Sequence, residues 1–139
     1  SGTASQSIYY AKNIAAAAAG ANSATVTFSA AAAYPDIRVL EYIGANPNNP
    51  VDVTAASSGS STASSSGSAT TTHAPDLIFG ATLVQTQTTG PGSGFTSRML
   101  TSPNGDIAED QMVTSIGSYS AIAPVSPTGK WIMQMVAFW

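Results

Sequence analysis

"AASSGSSTASSSGSATTTH", residues 55–73, reads either as a flexible Ser/Gly linker or as an exposed β-strand, and the choice decides the fold. A linker here would divide the 139-residue chain into two pieces, each too small to bury a core of its own. A strand keeps residues 1–139 as one domain. The alternation of small residues and the run Thr70–Thr72 suit an extended backbone, because β-branched side chains fit the pleated surface of a sheet. The strand reading is therefore adopted.

Working outward, periodicity points to strands nearly everywhere. "SQSIYYAKN" places Ile8 and Tyr10 on one face and Tyr9 on the other. "SATVTFS" alternates Val26 and Phe28 against Thr25 and Thr27. In "DIRVLEYIG", Ile37, Val39 and Glu41 share one face, and Arg38, Leu40 and Tyr42 the other. Further strand candidates are "SSGSATTT", "DLIFGATLV", "FTSRMLT", "DIAEDQMV", "GSYSAIA" and "WIMQMVAFW". The last is apolar on both faces, as a central strand should be. Between them lie turns such as "NPNNP", "HAPD", "TGPGSG" and "SPNGD", whose Pro, Gly and Asn preset turn dihedrals. "NIAAAAAGAN" is too short for an independent helix, which needs about 12–15 residues, and is read as a connection with at most one helical turn. The fold class expected is an all-β, antiparallel β-sandwich of jelly-roll type with eight or nine short strands.

Composition narrows the function. Charged residues are 8% of the chain and the formal net charge is −3. With Lys12, Arg38, Arg98 and Lys130 as the only lysines and arginines, no basic patch for nucleic acid can be assembled. There is no cysteine, so thiolate chemistry is excluded. No apolar run approaches the ~18 residues that span a bilayer as a helix.

The phrases "QSIYYAKNIAAAAAGANSATVTFSAAAAYPDIRVLEY", "NPVDVTA", "GFTSRMLTSPNGDIAED" and "GSYSAIAP" resemble a family of bacterial extracellular β-sandwich modules. These occur in large secreted or surface proteins of soil bacteria, beside immunoglobulin-like and fibronectin-like repeats. The likeness runs along nearly the whole chain. It implies a sandwich fold and an extracellular or cell-surface location, and it implies no chemistry. Such modules begin with two or more strands before the counterpart of "SQSIYYAKN", whereas here that stretch comes almost at once. The resemblance therefore implies an open sheet edge, to which another copy or a companion segment would donate a β-strand.

Candidate sites are few. Arg98, Asp106, Glu109 and Asp110 crowd into "GFTSRMLTSPNGDIAEDQMV", residues 94–113. "SPNGD" reads as a hairpin turn. Beyond it, Asp106, Ala108 and Asp110 should share one face of a strand, opposite Ile107, Glu109 and Gln111. Paired carboxyls for hydrolysis must face a common substrate, which adjacent strand positions do not. The expectation is structural: Arg98 forms an ion pair with Glu109 or Asp110 across the hairpin. A calcium loop built on Asn104 and Asp106 is the alternative, since hard cations take oxygen ligands. Catalysis by Glu109, Asp110 or His73 is the weakest reading. His73 could serve a Ser–His–Asp arrangement with Asp76 or Asp36 as orienting carboxylate, yet no Gly-x-Ser-x-Gly elbow presents a serine. Tyr9, Tyr10 and Tyr34 are candidate stacking residues for a neutral polysaccharide or cell-surface glycan. The leading functional expectation is a non-catalytic extracellular module for adhesion or neutral-glycan binding. A structural subunit assembling by strand exchange into a filament or dimer is the second, and a small secreted hydrolase the third.

Overall fold

The computed structural model describes residues 4–139. It is all-β, with eight strands and no helix among the described residues. In chain order these are β1 (Val51–Ser65), β2 (Ala69–Thr70), β3 (Asp76–Val84), β4 (Gln87–Thr88), β5 (Thr96–Leu100), β6 (Ile107–Val113), β7 (Ser118–Tyr119) and β8 (Ile122–Phe138). Every pairing is antiparallel. The main sheet runs β1-β8-β3-β6-β5, with the short β4 also on β8, while β2 and β7 form a separate two-stranded ribbon.

The Ser-rich stretch is strand over residues 55–65, within β1; the strand expected at 65–72 is broken at 66–68, where Gly67 takes φ 71°, and keeps only Ala69–Thr70 as β2. β1 spans 15 residues, and its register against β8 breaks between Ser61 and Ala63. "WIMQMVAFW" is the end of the 17-residue β8, which lies between β1 and β3. Its apolar side chains on both faces follow from that central place. β3 reads "DLIFGATLV" because it too is covered on both sides. Ile78 joins Val113, Ala121, Met133, Met135 and Ala137 on one face. Phe79 and Ala81 join Ala108 on the other.

Three expected strands did not form. "SQSIYYAKN", "SATVTFS" and "DIRVLEYIG" contain no β-structure, and nothing from residue 4 to residue 50 does. Their backbone has no neighbour to pair with, and a lone strand is unstable in water. The alanine run forms one turn, closed by Ala21 N–H on Ala18 C=O at 3.0 Å, with Gly20 at φ 79°.

In the first and third of these segments the alternation survives without the strands. Ile8 and Leu40 pack on the Phe79 face of the sheet. Tyr10 meets Phe138 edge-on and Tyr42 meets Phe79 in the same way. Tyr9, Val39 and Ile43 on the opposite faces are exposed. Residues 4–45 are thus an arm whose residues 6–10 and 38–42 lie over one face of the sheet, docked through alternate side chains, while the stretch between them is exposed.

Candidate functional site

The acidic stretch folds as the hairpin β5–β6, with Gly105 at φ 74° in its turn. Asp106 closes that turn: Gly105 N–H donates to Thr101 C=O at 2.8 Å, and Thr101 N–H to Asp106 C=O at 2.9 Å. The Asp106 side chain is buried, and Oδ1 accepts from Val84 N–H at 2.7 Å. That oxygen is therefore committed to the backbone of β3, while Asn104 lies exposed in the turn. Among the described residues, no group of three or more His, Asp or Glu side chains is placed to hold a metal.

Glu109 and Asp110 face opposite sides of the sheet, opposite Gly80 and Phe79 respectively on β3. The ion pair of Arg98 is with Asp110, Nε to Oδ2 at 2.7 Å; the expected alternative, Glu109, is not its partner. The reason is strand alternation, which turns Glu109 into the other face. There it is fully buried, accepts from Gly92 N–H at 2.8 Å through Oε2, and leaves Oε1 without a partner. Burial pushes its carboxyl up to about 7, against which the single Gly92 N–H works weakly.

The face carrying Asp106, Ala108 and Asp110 is the one the arm covers. Leu40 packs on the cluster that contains Ala108, and Tyr42 Oη donates to Asp110 Oδ2 at 2.7 Å. Arg38 donates to Ile107 C=O at 2.8 Å and Thr82 C=O at 2.9 Å, and its charge bears on Asp106. Arg38, Leu40 and Tyr42 thus step along β6 in register with Asp106, Ala108 and Asp110. Burial and the Asp110 carboxylate hold the Tyr42 phenol well above its ordinary value, so it remains a donor. Farther along the same face, Gln6 Nε2 donates to Ala81 C=O at 2.8 Å and to Gln134 Oε1 at 3.1 Å. Arg38, Tyr42 and Gln6 were missed as site residues. Their one signal was a place on the same face as apolar Leu40 or Ile8 in an alternating stretch.

His73 lies elsewhere, at the end of the sheet where β1 and β3 begin and β8 finishes. Its ring stacks on Trp139 at 3.9 Å and 6°. Its orienting carboxylate is Asp52, with Nδ1 to Oδ1 at 3.1 Å, and not Asp76 or Asp36. Thr72 Oγ1 sits 3.0 Å from that same Nδ1. A catalytic histidine holds its carboxylate on one nitrogen and its nucleophile on the other; here both polar neighbours crowd one atom. Burial would raise Asp52, but hydrogen bonds from Thr72 and His73 outweigh it and hold the group well below the usual carboxylate range. Asp76 beside it is fully buried, and no donor faces either of its oxygens. It can bond only by carrying the proton itself and giving it to Asp52. Burial, with the Asp52 charge, accordingly raises Asp76 to about 6.

Tyr9 and Tyr34 are 86% and 93% exposed. Neither of the two grooves along the arm is lined by Tyr9, Tyr10 or Tyr34. One, of about 390 Å³, lies between Val39–Tyr42 and Arg98–Met99; the other, of about 280 Å³, lies between Ile8 and strands β1 and β8. Among the described residues, no helix is long and apolar enough to cross a membrane. Comparison with family models, curated proteins and solved structures finds no match.

Proposed function

We propose that the chain is a non-catalytic structural module of an extracellular β-rich assembly, and that residues 4–45 are its assembling arm. The observation behind this reading is the arm itself. At 6–10 and 38–42 its inward side chains are docked, many of its outward ones are apolar, and yet its backbone has almost no partner. The Ala18–Ala21 turn is the one backbone–backbone bond recorded within described residues 4–45. Backbone N–H and C=O groups are obligatory hydrogen-bonding groups. Segments disordered by nature are polar and charged, whereas this one carries Tyr9, Tyr10, Ile14, Val26, Phe28, Tyr34, Ile37, Val39 and Ile43 on its surface. Strands from a partner laid beside 6–10 and 38–42 would turn the arm into a second sheet over the Phe79 face. The product would be a two-layer sandwich of the jelly-roll type that the sequence suggests.

Light scattering coupled to size exclusion, with hydrogen exchange on the same sample, tests this. Particles larger than the 14.0 kDa chain, with slow exchange at residues 6–10 and 38–42, are expected. A monomer whose arm exchanges freely at every concentration would overturn the reading. Adhesion to neutral glycans is a second reading, favoured by the exposed rings of Tyr9 and Tyr34. A glycan array on which Tyr9→Ala and Tyr34→Ala behave as the parent chain does would remove it.

A further inference from the structure

The arm is fastened on either side of an exposed middle stretch. Lys12 and Asn13 donate to the carbonyls of Asn48 and Pro47, and Arg38 fastens it to β3 and β6. Every residue from Tyr9 to Ile37 is exposed. From Asn13 to Pro35 there is no Asp, Glu, Lys or Arg. Within that span Ser23–Ser29 alternates strictly, with Val26 and Phe28 both about half exposed. Seven such residues extend roughly 23 Å, an ordinary strand length.

The sheet offers a matching edge. β1 pairs with β8 on one side and is the outermost strand on the other. Exposed edges are normally guarded by lysine, proline, a charge or a β-bulge; the irregularities of β1 fall between Val51 and Thr54 and between Ser61 and Ala63, leaving 54–61 in regular register. β1 contains no Lys, Arg or Pro, and its single charge, Asp52, is turned inward with a side chain 1% exposed. Ala56 to Ser60 are exposed in sequence. The opposite edge, β5, is flanked by arm residues Val39–Tyr42, which share a groove with Arg98 and Met99. β1 is the freer of the two.

We infer that Ser23–Ser29 of one copy adds as an edge strand to β1 of a second copy of this chain. The inference rests on the assembling role proposed above and names its partner. One chain carries both the unpaired strand-patterned segment and the unguarded edge. Neither surface bears a charge that must be stripped of water, which would oppose the contact. Donor and acceptor are different surfaces, so the contact is head to tail and repeats from copy to copy, giving a filament unless the rotation closes a ring.

The absence of cysteine makes the test direct. A Thr25→Cys chain is mixed under mild oxidation with Ala56→Cys, Ser58→Cys or Ser60→Cys chains, and with a Ser126→Cys chain on β8 as control. A disulfide demands Cβ atoms about 3.8 Å apart, so a mixed dimer at one of the three β1 positions, and not with the control, is expected. Val26→Pro removes one ladder donor at a position exposed in the single subunit. It should leave the subunit's melting midpoint unchanged and return the particle to 14.0 kDa. Assemblies that persist in Val26→Pro, or that give no mixed disulfide at any β1 position, would overturn this pairing while leaving the assembling role intact. A parent chain that is monomeric throughout removes both.

Discussion

Tyr42 of the arm gives its phenolic proton to Asp110 of β6 across 2.7 Å, the same Oδ2 that receives Arg98 Nε at 2.7 Å. One carboxylate oxygen therefore ties the arm to the sheet edge. Tyr42→Phe keeps the edge-on contact with Phe79 and removes that tie alone. A hydrogen bond to a charged group contributes about 1.5–3 kcal/mol; with Arg98 still satisfying Asp110, a loss of about 1–2 kcal/mol in arm docking is expected. Limited trypsin digestion at Arg38 should accelerate accordingly, with the far-UV spectrum unchanged. An unchanged cleavage rate would mean that Tyr42 does not hold the arm.

Asp106→Ala leaves the Val84 N–H buried and unpaired. Stranding a buried donor costs about 1–3 kcal/mol, read as a lower urea midpoint with an unchanged slope. Because Asp106 Oδ1 is already taken, excess chelator should not shift the melting midpoint of the parent chain. A drop on chelation would instead show that the turn holds a cation, since a ligand of the native state stabilises it by mass action.

Glu109 makes the protein favour acid. Its ordinary value is 4.5, and burial raises it to about 7 in the fold. Below 4.5 both folded and unfolded chains hold the proton. Between 4.5 and 7 the unfolded chain loses it while the fold retains it, so this contribution to stability falls as pH rises and is gone above about 7. The shift corresponds to about 3 kcal/mol. Urea unfolding from pH 4.5 to 8 should show the decline, and Glu109→Gln should flatten it by that amount. A profile with the same slope in both chains would refute the assignment.

Asp76→Asn should help at high pH. The Asp76 carboxyl is raised from 3.8 to about 6, so at pH 8 the fold holds an ionised Asp76 against an ionised Asp52. An amide there has no charge and can donate to Asp52 as the protonated acid does. The expected gain is about 1–3 kcal/mol at pH 8, shrinking toward pH 5. Loss of stability at both pH values would show that Asp76 is not the proton holder of the pair.

Strand identity was legible in the longer partnered strands, and not in the two-residue β4 or the first residues of β1. "DLIFGATLV", "DIAEDQMV" and "WIMQMVAFW" announce themselves through apolar runs and alternation, and the neutral β1 through the improbability of two tiny half-domains. The opposite orientation of Glu109 and Asp110 followed from alternation alone. "SATVTFS" carries an equally clear pattern and is no strand, because alternation records which side chains face a neighbour but not whether the backbone has one. The Asp52–His73 contact spans 21 residues and depends on β1 and β3 flanking β8, which no local pattern encodes. Likewise Arg38 looked like one stray cation until Ile107 and Thr82 lay beneath it.

The position of β8 in the sheet has a kinetic side. β8 follows the seven other strands in sequence and yet is the direct neighbour of β1, β3 and β4, with Ser65 meeting Ile122 and Val51 meeting Phe138. During synthesis β1 and β3 must therefore wait, unpaired on that side, until the ribosome has delivered residues 122–138. Closing loops of that length before any ladder forms makes for slow folding, on the order of milliseconds to seconds for sheet-dominated domains. In that interval uncharged strands of neighbouring nascent chains compete for the same ladders. A chaperone that shields β1 until β8 emerges would raise the yield of folded subunit without touching its equilibrium stability.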